Sequence, residues 1–175
     1  MSFDIRHSIF AKAALPLFAA ALLSACGFHL RGEIKLAPSL QRVIVISSDP
    51  GGPLKRSVED AMQRAGATIA PAAGEGVGEI RLTAVGMQTL VGSVGGNARV
   101  NEFNMVYHVD LEIVDGAGKT VLDKQPIEQT RSYTFDQTQA IGTGAQQDVI
   151  RREMERDMAQ AVMRKVDAVE RRLTR

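Results

Sequence analysis

Residues 103–113 read Phe-Asn-Met-Val-Tyr-His-Val-Asp-Leu-Glu-Ile, with an apolar or aromatic side chain at every odd position. Most of the even positions between them are polar. Successive side chains of a strand point to opposite faces of a sheet, so this period of two predicts a long strand with one wet face. We expect the odd positions to face the helices of the domain and to determine its folding.

The segments on either side of this strand predict two more strands. Downstream, Asp115-Gly116-Ala117-Gly118 supplies residues that suit a tight turn, so the chain is expected to fold back over Thr120 to Phe135. Pro126 within that strand predicts an edge position or a bulge. Upstream, Ile80, Leu82 and Ala84 alternate with polar residues, which predicts a half-solvated strand, and the Gly92 to Asn97 segment predicts a flexible, exposed hairpin tip.

The remaining periodicity predicts one buried strand and two helices. The β-branched run Val43 to Ile46 suits a strand buried on both faces, and a helix is expected from Pro53 until Gly66 stops it. Apolar residues at spacings of three and four from Ile150 to Leu173 predict a long C-terminal helix, whereas 68–78 and 137–144 are interpreted as loops. The order β-α-β-β-β-α predicts an α+β fold, with two helices on a sheet of about four strands, mixed or antiparallel.

Composition excludes several classes of function. The 175 residues carry 21 Lys and Arg against 20 Asp and Glu, contain no Trp, and so have neither the basic excess nor the aromatic surface that typify nucleic-acid binders. A single cysteine, Cys26, excludes an intramolecular disulfide and any multi-thiolate metal site. We therefore expect no nucleic-acid partner, no metal and no cofactor.

The N-terminal segment is typical of a secretory signal. Arg6 and Lys12 precede an apolar run, Ala13 to Leu23, that is too short to span a bilayer. The following Leu23-Ser24-Ala25-Cys26 resembles the bacterial lipobox, which implies cleavage before Cys26 and attachment of diacylglycerol and an N-acyl chain to it. This predicts a signal peptide over 1–25, a lipidated tether over 26–39 and one domain over 40–175. By the same resemblance, Gly27 in place of aspartate implies the outer membrane.

A catalytic set is not evident in the sequence. His108 lies on the polar face of the long strand with Asp110 two residues on, but no motif-borne nucleophile accompanies it. His29 lies three residues from Cys26, where a catalytic pocket is not expected. Gly92, Gly95 and Gly96 fall between two strands and so do not fit a dinucleotide-binding loop. We interpret His108 as a solvated surface residue and the protein as not an enzyme.

Four short segments, taken together in their order and spacing with the lipobox, resemble the LPS-assembly lipoprotein family of the outer-membrane lipopolysaccharide translocon. They are Cys26-Gly27-Phe28-His29-Leu30-Arg31-Gly32, Asp49-Pro50-Gly51-Gly52-Pro53-Leu54, Asn101-Glu102-Phe103-Asn104-Met105 and Gln147-Asp148-Val149-Ile150-Arg151-Arg152-Glu153-Met154. The resemblance implies a small α+β plug inside a β-barrel LPS-assembly protein of the LptD type. It also implies that the plug helps the barrel assemble and hands lipopolysaccharide to the outer leaflet.

Lipopolysaccharide carries phosphates and acyl chains, so basic residues at the sheet tip or the start of the long helix are the candidate contacts: Arg99, Arg151 and Arg152. The alternative is that Arg151 and Arg152 pair with Glu155 and that Arg99 is a solvated turn residue. Family members can carry a basic residue in this tip where the chain has Gly95-Gly96-Asn97. The rival functions are a free lipid-carrier lipoprotein with an apolar cavity and an outer-membrane lipoprotein enzyme.

Overall fold

The computed structural model describes residues 36–94, 100–134 and 140–174, and these form a mixed sheet of five strands with two helices on one face. The elements are a 3-10 turn Pro38–Leu40, β1 Arg42–Ser47, α1 Pro53–Arg64, β2 Thr68–Ile69, β3 Gly78–Val94, β4 Val100–Val114, β5 Thr120–Thr134 and α2 Ala140–Leu173. The strand order is β2-β1-β3-β4-β5, with β1 parallel to β2 and β3 and the other pairs antiparallel. The predicted α+β class is confirmed, and the sheet gains the short strand β2.

The alternation along β4 produces the core. Its odd positions are buried from Met105 to Ile113, and each of these side chains is at most 4% exposed, whereas Phe103 is half-buried. They join one apolar cluster with the inward residues of β1, β3, α1 and α2, so sheet and helices share a single core. The prediction that the odd positions face the helices is confirmed.

Helix α1 begins and ends at the predicted signals. Pro53 lies in the first turn, where a missing N–H costs no helical hydrogen bond, and Gly66 adopts φ +93° just after the helix. Leu54, Val58 and Met62 are its fully buried residues, at spacings of four. This helix therefore presents one apolar stripe to β1 and leaves its charged side to solvent.

A bulge in β3 changes which residues face the core. Thr83 pairs with Asp110 and Gly86 with His108, so β3 has one more residue than β4 over this interval. Ala84 lies in the extra step with φ +51° and is exposed. The prediction that Ala84 continues the inward row of Ile80 and Leu82 is therefore wrong, because the bulge reverses the alternation beyond it.

Strand β5 is an edge strand, as Pro126 predicts. Its only neighbour among the described residues is β4, where Pro126 pairs with Asp110. A register shift lies just before it, between the pairs Ile113–Leu122 and Leu111–Gln125. Proline lacks an N–H to donate, so an edge position tolerates it where a central strand would lose a ladder hydrogen bond.

Helix α2 begins earlier than the sequence predicts. The interpretation of 137–144 as a loop is wrong for residues 140–144, which belong to the helix. Gly142 and Gly144 each disfavour helix by about 1 kcal/mol relative to Ala, but a helix of this length that packs on a core can absorb that cost. Met154, Met158, Val162, Val166 and Val169 are buried as expected, whereas Leu173 is 40% exposed.

The last turns of α2 bury a carboxyl group. Glu170 is 2% exposed, and its Oε2 accepts a hydrogen bond from the backbone N–H of Ala37, while Oε1 is buried without a partner among the described residues. Burial raises the pKa of Glu170, and nearby Asp167 raises it further, against the opposing effect of the Ala37 hydrogen bond. This contact joins the first described residues of the chain to the C-terminal end of α2.

Glu170→Gln is expected to raise the melting temperature more at about pH 8 than at about pH 5. A carboxyl whose pKa is higher in the folded than in the unfolded state binds more protons when folded. Its contribution to stability is therefore present below the unfolded pKa and is lost as pH rises through the folded pKa. Thermal melts of parent and variant between these two pH values test this prediction. A difference in melting temperature between variant and parent that becomes smaller toward high pH would contradict it.

Candidate functional site

One end of the molecule, which we call the distal end, carries both the β3–β4 hairpin and the start of α2. Val94 pairs with Val100 at the limit of the hairpin, and Glu102 pairs with Thr134 at the limit of β5. Since these pairs lie close together along the sheet, the hairpin tip and the connection from β5 to α2 leave from the same edge. The two segments that the sequence predicts as candidate contact regions therefore lie at the same end of the sheet.

Three polar contacts align α2 antiparallel to β5. Gln147 Nε2 donates to Tyr133 Oη (2.6 Å), an Arg131–Asp157 ion pair lies in the middle (2.7 Å), and Lys165 Nζ donates to Gln125 Oε1 (3.1 Å). The span of 18 residues along a helix is about 27 Å, and that of eight residues along a strand is about 26 Å. The two elements therefore run alongside each other, and the first half of α2 belongs to the distal end.

An aromatic pair fixes the distal strands beneath α2. The rings of Phe103 and Tyr133 stack with centroids 5.6 Å apart and planes inclined by 25°. Tyr133 is 4% exposed, and its hydroxyl accepts the hydrogen bond from Gln147. This packing holds the start of the long helix at a defined position over β4 and β5.

Arg151 and Arg152 lie in the distal half of α2, and both are exposed. Within residues 36–94, 100–134 and 140–174, neither guanidinium has an ion-pair partner, so the alternative pairing with Glu155 is not formed there. Val149 is 46% exposed two residues before Arg151. The first half of α2 therefore presents two guanidinium groups that form no ion pair among the described residues, beside an apolar side chain.

The hairpin adds apolar surface at the same end. Leu90 is 47% and Val91 56% exposed, and because they are adjacent in β3 they point to opposite faces of the sheet. Of the predicted tip from Gly92 to Asn97, the structure describes residues 92–94, and for these the prediction is wrong because they belong to strand β3. Arg99 lies outside the described residues, as does Cys26, so their assignments stay predictions.

The sheet surface away from the helices, which we call the open face, carries paired charges. Arg81 bridges Glu79 and Glu112 at 2.7 and 2.8 Å, and these two acceptors raise the pKa of its guanidinium. Further along the sheet, Lys124 Nζ on β5 lies 3.2 Å from Asp110 Oδ2 on β4. The open face is thus polar and its charges form ion pairs, whereas Arg151 and Arg152 of α2 form none among the described residues.

His108 belongs to the open face and contacts two carboxylates. Its Nε2 lies 3.2 Å from Asp110 Oδ1 and its Nδ1 3.8 Å from Glu128 Oε2, and the side chain is 36% exposed. In the described part of the chain no hydroxyl or thiol is hydrogen-bonded to either ring nitrogen. Acyl transfer needs a nucleophile, a base and an orienting group that converge, and His108 with Asp110 supplies only the last two.

Tyr107 does not supply acid–base chemistry near neutral pH. Burial raises the pKa of Tyr107 to about 12, with smaller contributions from Glu155 and Asp49, so its hydroxyl stays protonated.

Across the described ranges no three His, Cys, Asp or Glu side chains are grouped to hold a metal ion. No helix among the described residues combines the length and apolarity that a membrane span requires.

An open cleft of about 650 Å³ lies at the end of the sheet opposite the hairpin. Its lining residues are 74–77, Glu79 and 114–118, among which are Glu75, Asp115 and several glycines. Pockets that hold apolar ligands are lined mainly by hydrophobic and aromatic side chains. This cleft therefore does not have the composition that a free acyl-chain carrier requires.

Proteins that are similar to this chain in sequence are lipopolysaccharide-assembly lipoproteins. The sequence profile described as LptE, Lipopolysaccharide-assembly, matches residues 40–166. The chain is 30% identical over 166 residues to the LPS-assembly lipoprotein LptE of Pectobacterium atrosepticum, covering 93% of this chain and 86% of that one. It is also 30% identical over 166 residues to the protein of the same name from Yersinia enterocolitica, covering 93% and 77%.

Two solved structures share the fold. Rare lipoprotein B from Shewanella oneidensis superposes with a TM-score of 0.66 at 21% identity, covering 77% of this chain and 99% of that chain. The solution structure of a lipoprotein B from Nitrosomonas europaea gives a TM-score of 0.68 at 25% identity, covering 81% and 91%. The mixed sheet with two helices on one face is therefore an arrangement that other lipoproteins also adopt.

Proposed function

Because the chain belongs to the LptE family of lipopolysaccharide-assembly lipoproteins, we propose that it plugs a β-barrel LPS-assembly protein in the outer membrane and assists lipopolysaccharide transfer. Membership makes it an outer-membrane lipoprotein of lipopolysaccharide assembly, and it implies a protein without catalytic activity. The plug role, the barrel partner and the position in its lumen are the finer parts of the proposal.

The open face is the observation that carries the plug proposal. A sheet covered on one face only leaves its other face for solvent or a partner, and here that face bears the compensated clusters around Arg81 and Asp110. The interior of a transmembrane barrel is polar, so a surface of paired charges can lie against it without burying an isolated charge. We propose that the open face contacts the inner wall of the barrel.

The distal end is the proposed lipopolysaccharide contact. Arg151 and Arg152 are exposed and form no ion pair among the described residues, so their guanidinium groups are available for phosphate oxygens, which arginine binds in a bidentate manner. The exposed apolar side chains of Leu90, Val91 and Val149 at the same end suit acyl chains. Arg99 is retained as a third candidate because it follows the hairpin tip in the sequence.

Lipidation at Cys26 is the proposed means of attachment. The lipobox Leu23-Ser24-Ala25-Cys26 motivates it, and a protein with two or more acyl chains is held stably in a bilayer, whereas one chain binds only marginally. The anchor would keep the domain at the periplasmic side of the outer membrane, where a barrel partner is accessible.

Affinity capture from detergent-extracted outer membranes tests both contacts. The parent chain is expected to capture a large β-barrel protein together with lipopolysaccharide. Arg151→Glu with Arg152→Glu is expected to keep the barrel and to lose most of the lipopolysaccharide, at least about tenfold, because two charge-assisted contacts become repulsive. A parent that captures no barrel would refute the plug role, and a variant that keeps lipopolysaccharide would move the contact elsewhere.

His108→Ala is expected to leave barrel assembly and outer-membrane permeability unchanged. The imidazole is more than a third exposed and contacts only side chains that other cations or water can satisfy, so the loss of stability is expected to be no more than about 0.5 kcal/mol. Selective loss of function in a His108→Ala protein of normal abundance and melting temperature would support the enzyme alternative instead.

A further inference from the structure

The C-terminal turns of α2 carry a basic surface that the proposed function does not use. We call it the basic end, and it consists of the exposed side chains Arg164, Lys165 and Arg172. Lys165 donates to the neutral amide of Gln125, and within the described residues none of the three has a carboxylate partner. Seven-residue spacing from Lys165 to Arg172 places those two on one side of the helix.

The acidic groups between these cations are already engaged. Asp167 lies 2.8 Å from Arg171 in an i,i+4 ion pair, and Glu170 is buried against Ala37. Neither carboxylate is therefore available to neutralise the basic end. The surface keeps an uncompensated charge over about 12 Å of helix.

The Glu170–Ala37 hydrogen bond places the first described residues of the chain at the C-terminal turns of α2. Ala37 is eleven residue steps after Cys26, so the covalent chain reaches at most about 40 Å from the residue proposed to carry the lipid. The chain enters the domain at the same turns of α2 that carry Arg164, Lys165 and Arg172. Arg151 is a further 19 residues along the helix, about 28 Å away from Glu170.

We propose that the basic end docks on anionic phospholipid headgroups of the leaflet that holds the lipid anchor. This rests on the proposed lipidation at Cys26. Acyl chains alone attach the N-terminal tether to the membrane and leave the orientation of the domain free. Cations near Ala37, where the tether joins the domain, would turn that end of the domain toward the membrane. Each basic side chain near an anionic surface strengthens binding about fivefold, so three give a combined effect of about 100-fold.

Charge distribution favours the membrane over the barrel wall as the occupant. The open face, on the opposite side of the sheet from the helices, pairs its charges internally and suits a polar lumen. Uncompensated arginine and lysine side chains suit a dense array of negative headgroups, where each cation finds a phosphate without requiring a matching geometry. An acidic wall of the barrel is the competing occupant.

Vesicle binding by the unlipidated chain tests the proposal. The core formed by the described residues spans Leu40 to Val169, so residues 26–175 with Cys26→Ser contain the entire described domain. This protein is expected to sediment with phosphatidylcholine vesicles that contain about one third phosphatidylglycerol, and not with pure phosphatidylcholine vesicles. Binding should weaken as salt is added, since the screening length falls from about 30 Å at 0.01 M to about 8 Å at 0.15 M.

Two matched triple variants locate the contact. Arg164→Gln with Lys165→Gln and Arg172→Gln is expected to weaken binding to the phosphatidylglycerol vesicles about 100-fold. Removal of the same charge away from the basic end and from the proposed lipopolysaccharide contact, by Arg56→Gln, Arg131→Gln and Arg156→Gln, should leave binding near the parent level. Both sets are exposed, and thermal melts verify that each variant is folded.

Three results would overturn the proposal. They are equal binding of the parent to both vesicle types, equal weakening by the two triple variants, or loss of barrel capture by the first variant with vesicle binding intact. The last result would assign the basic end to an acidic barrel wall. Because the vesicle assay contains neither barrel nor lipopolysaccharide, its failure leaves the proposed function standing, and failure of lipidation is detected separately by intact mass.

Discussion

Met105→Asp is expected to destabilise the domain by about 4 kcal/mol, which is the largest stability effect that we expect from a single substitution. Met105 is 1% exposed in the inward row of β4. The change removes a buried apolar side chain and introduces a carboxyl group with no partner, which must either be buried as a charge or take up a proton. For a domain of this size the melting temperature should fall by about 10–15 °C.

Asn104→Asp is the matched control. It introduces the same carboxylate one residue away, on the open face, where Asn104 Oδ1 already accepts a hydrogen bond from Ser132 Oγ at 2.7 Å. The control is expected to change stability by no more than about 0.5 kcal/mol. Similar melts for the two variants would show that β4 does not separate a buried from a solvated face, and the assignment of the core would fail.

Cys26→Ser is expected to abolish lipid attachment completely, because serine lacks the thiol that receives the diacylglycerol. Intact-mass analysis of the parent, purified from membranes, should show a chain that begins at residue 26 and carries acyl chains. The variant should show no added lipid and should lose its stable membrane association unless a partner retains it.

A second variant separates the lipobox from the mere presence of a thiol. Cys26→Ser combined with Ala72→Cys restores one cysteine at an exposed position. This protein should stay unlipidated, since Ala72 does not follow a lipobox. A parent chain without added mass at Cys26 would remove the basis for the anchor, for the tether and for the orientation of the basic end.

The strands and helices with strong periodicity could be predicted from the sequence. The apolar odd positions of β4 and the apolar residues four apart in α1 each indicate a single buried face. Burial of that face is what stabilises the strand or the helix. The edge position of Pro126 likewise follows from a local property, the missing N–H. These features need no knowledge of neighbouring strands.

Features that depend on tertiary contacts could not be predicted in this way. Strand β2 is two residues long and exists because Thr68 and Ile69 pair with β1. The φ of +51° at Ala84 is imposed by the register of β3 against β4, and the residue that takes it is an alanine, although Gly86 lies at the end of the same bulge. Helix α2 extends through Gly142 and Gly144 despite their low helix propensity.

The candidate site was predictable in part. Exposure of Arg151 and Arg152 follows from the helical spacing of the core residues beside them, but whether they pair with Glu155 depends on side-chain geometry that periodicity does not determine. Burial of Glu170 was not predicted from the sequence, because a carboxylate is normally exposed. Val162 and Val166 precede it at spacings of four, which places it on the buried side of the helix. Its partner, the Ala37 N–H, lies 133 residues away in the chain.

Site-specific photocrosslinking in intact outer membranes tests the central claim most directly. Gln88 on β3 and Thr130 on β5 both flank Val106 on the open face, and both are exposed, so a photoreactive residue at either position leaves the core intact. We expect both positions to crosslink to one large β-barrel protein. Crosslinks to soluble periplasmic proteins alone, or an open face that reaches no partner in the membrane, would contradict the account of this protein as a barrel plug.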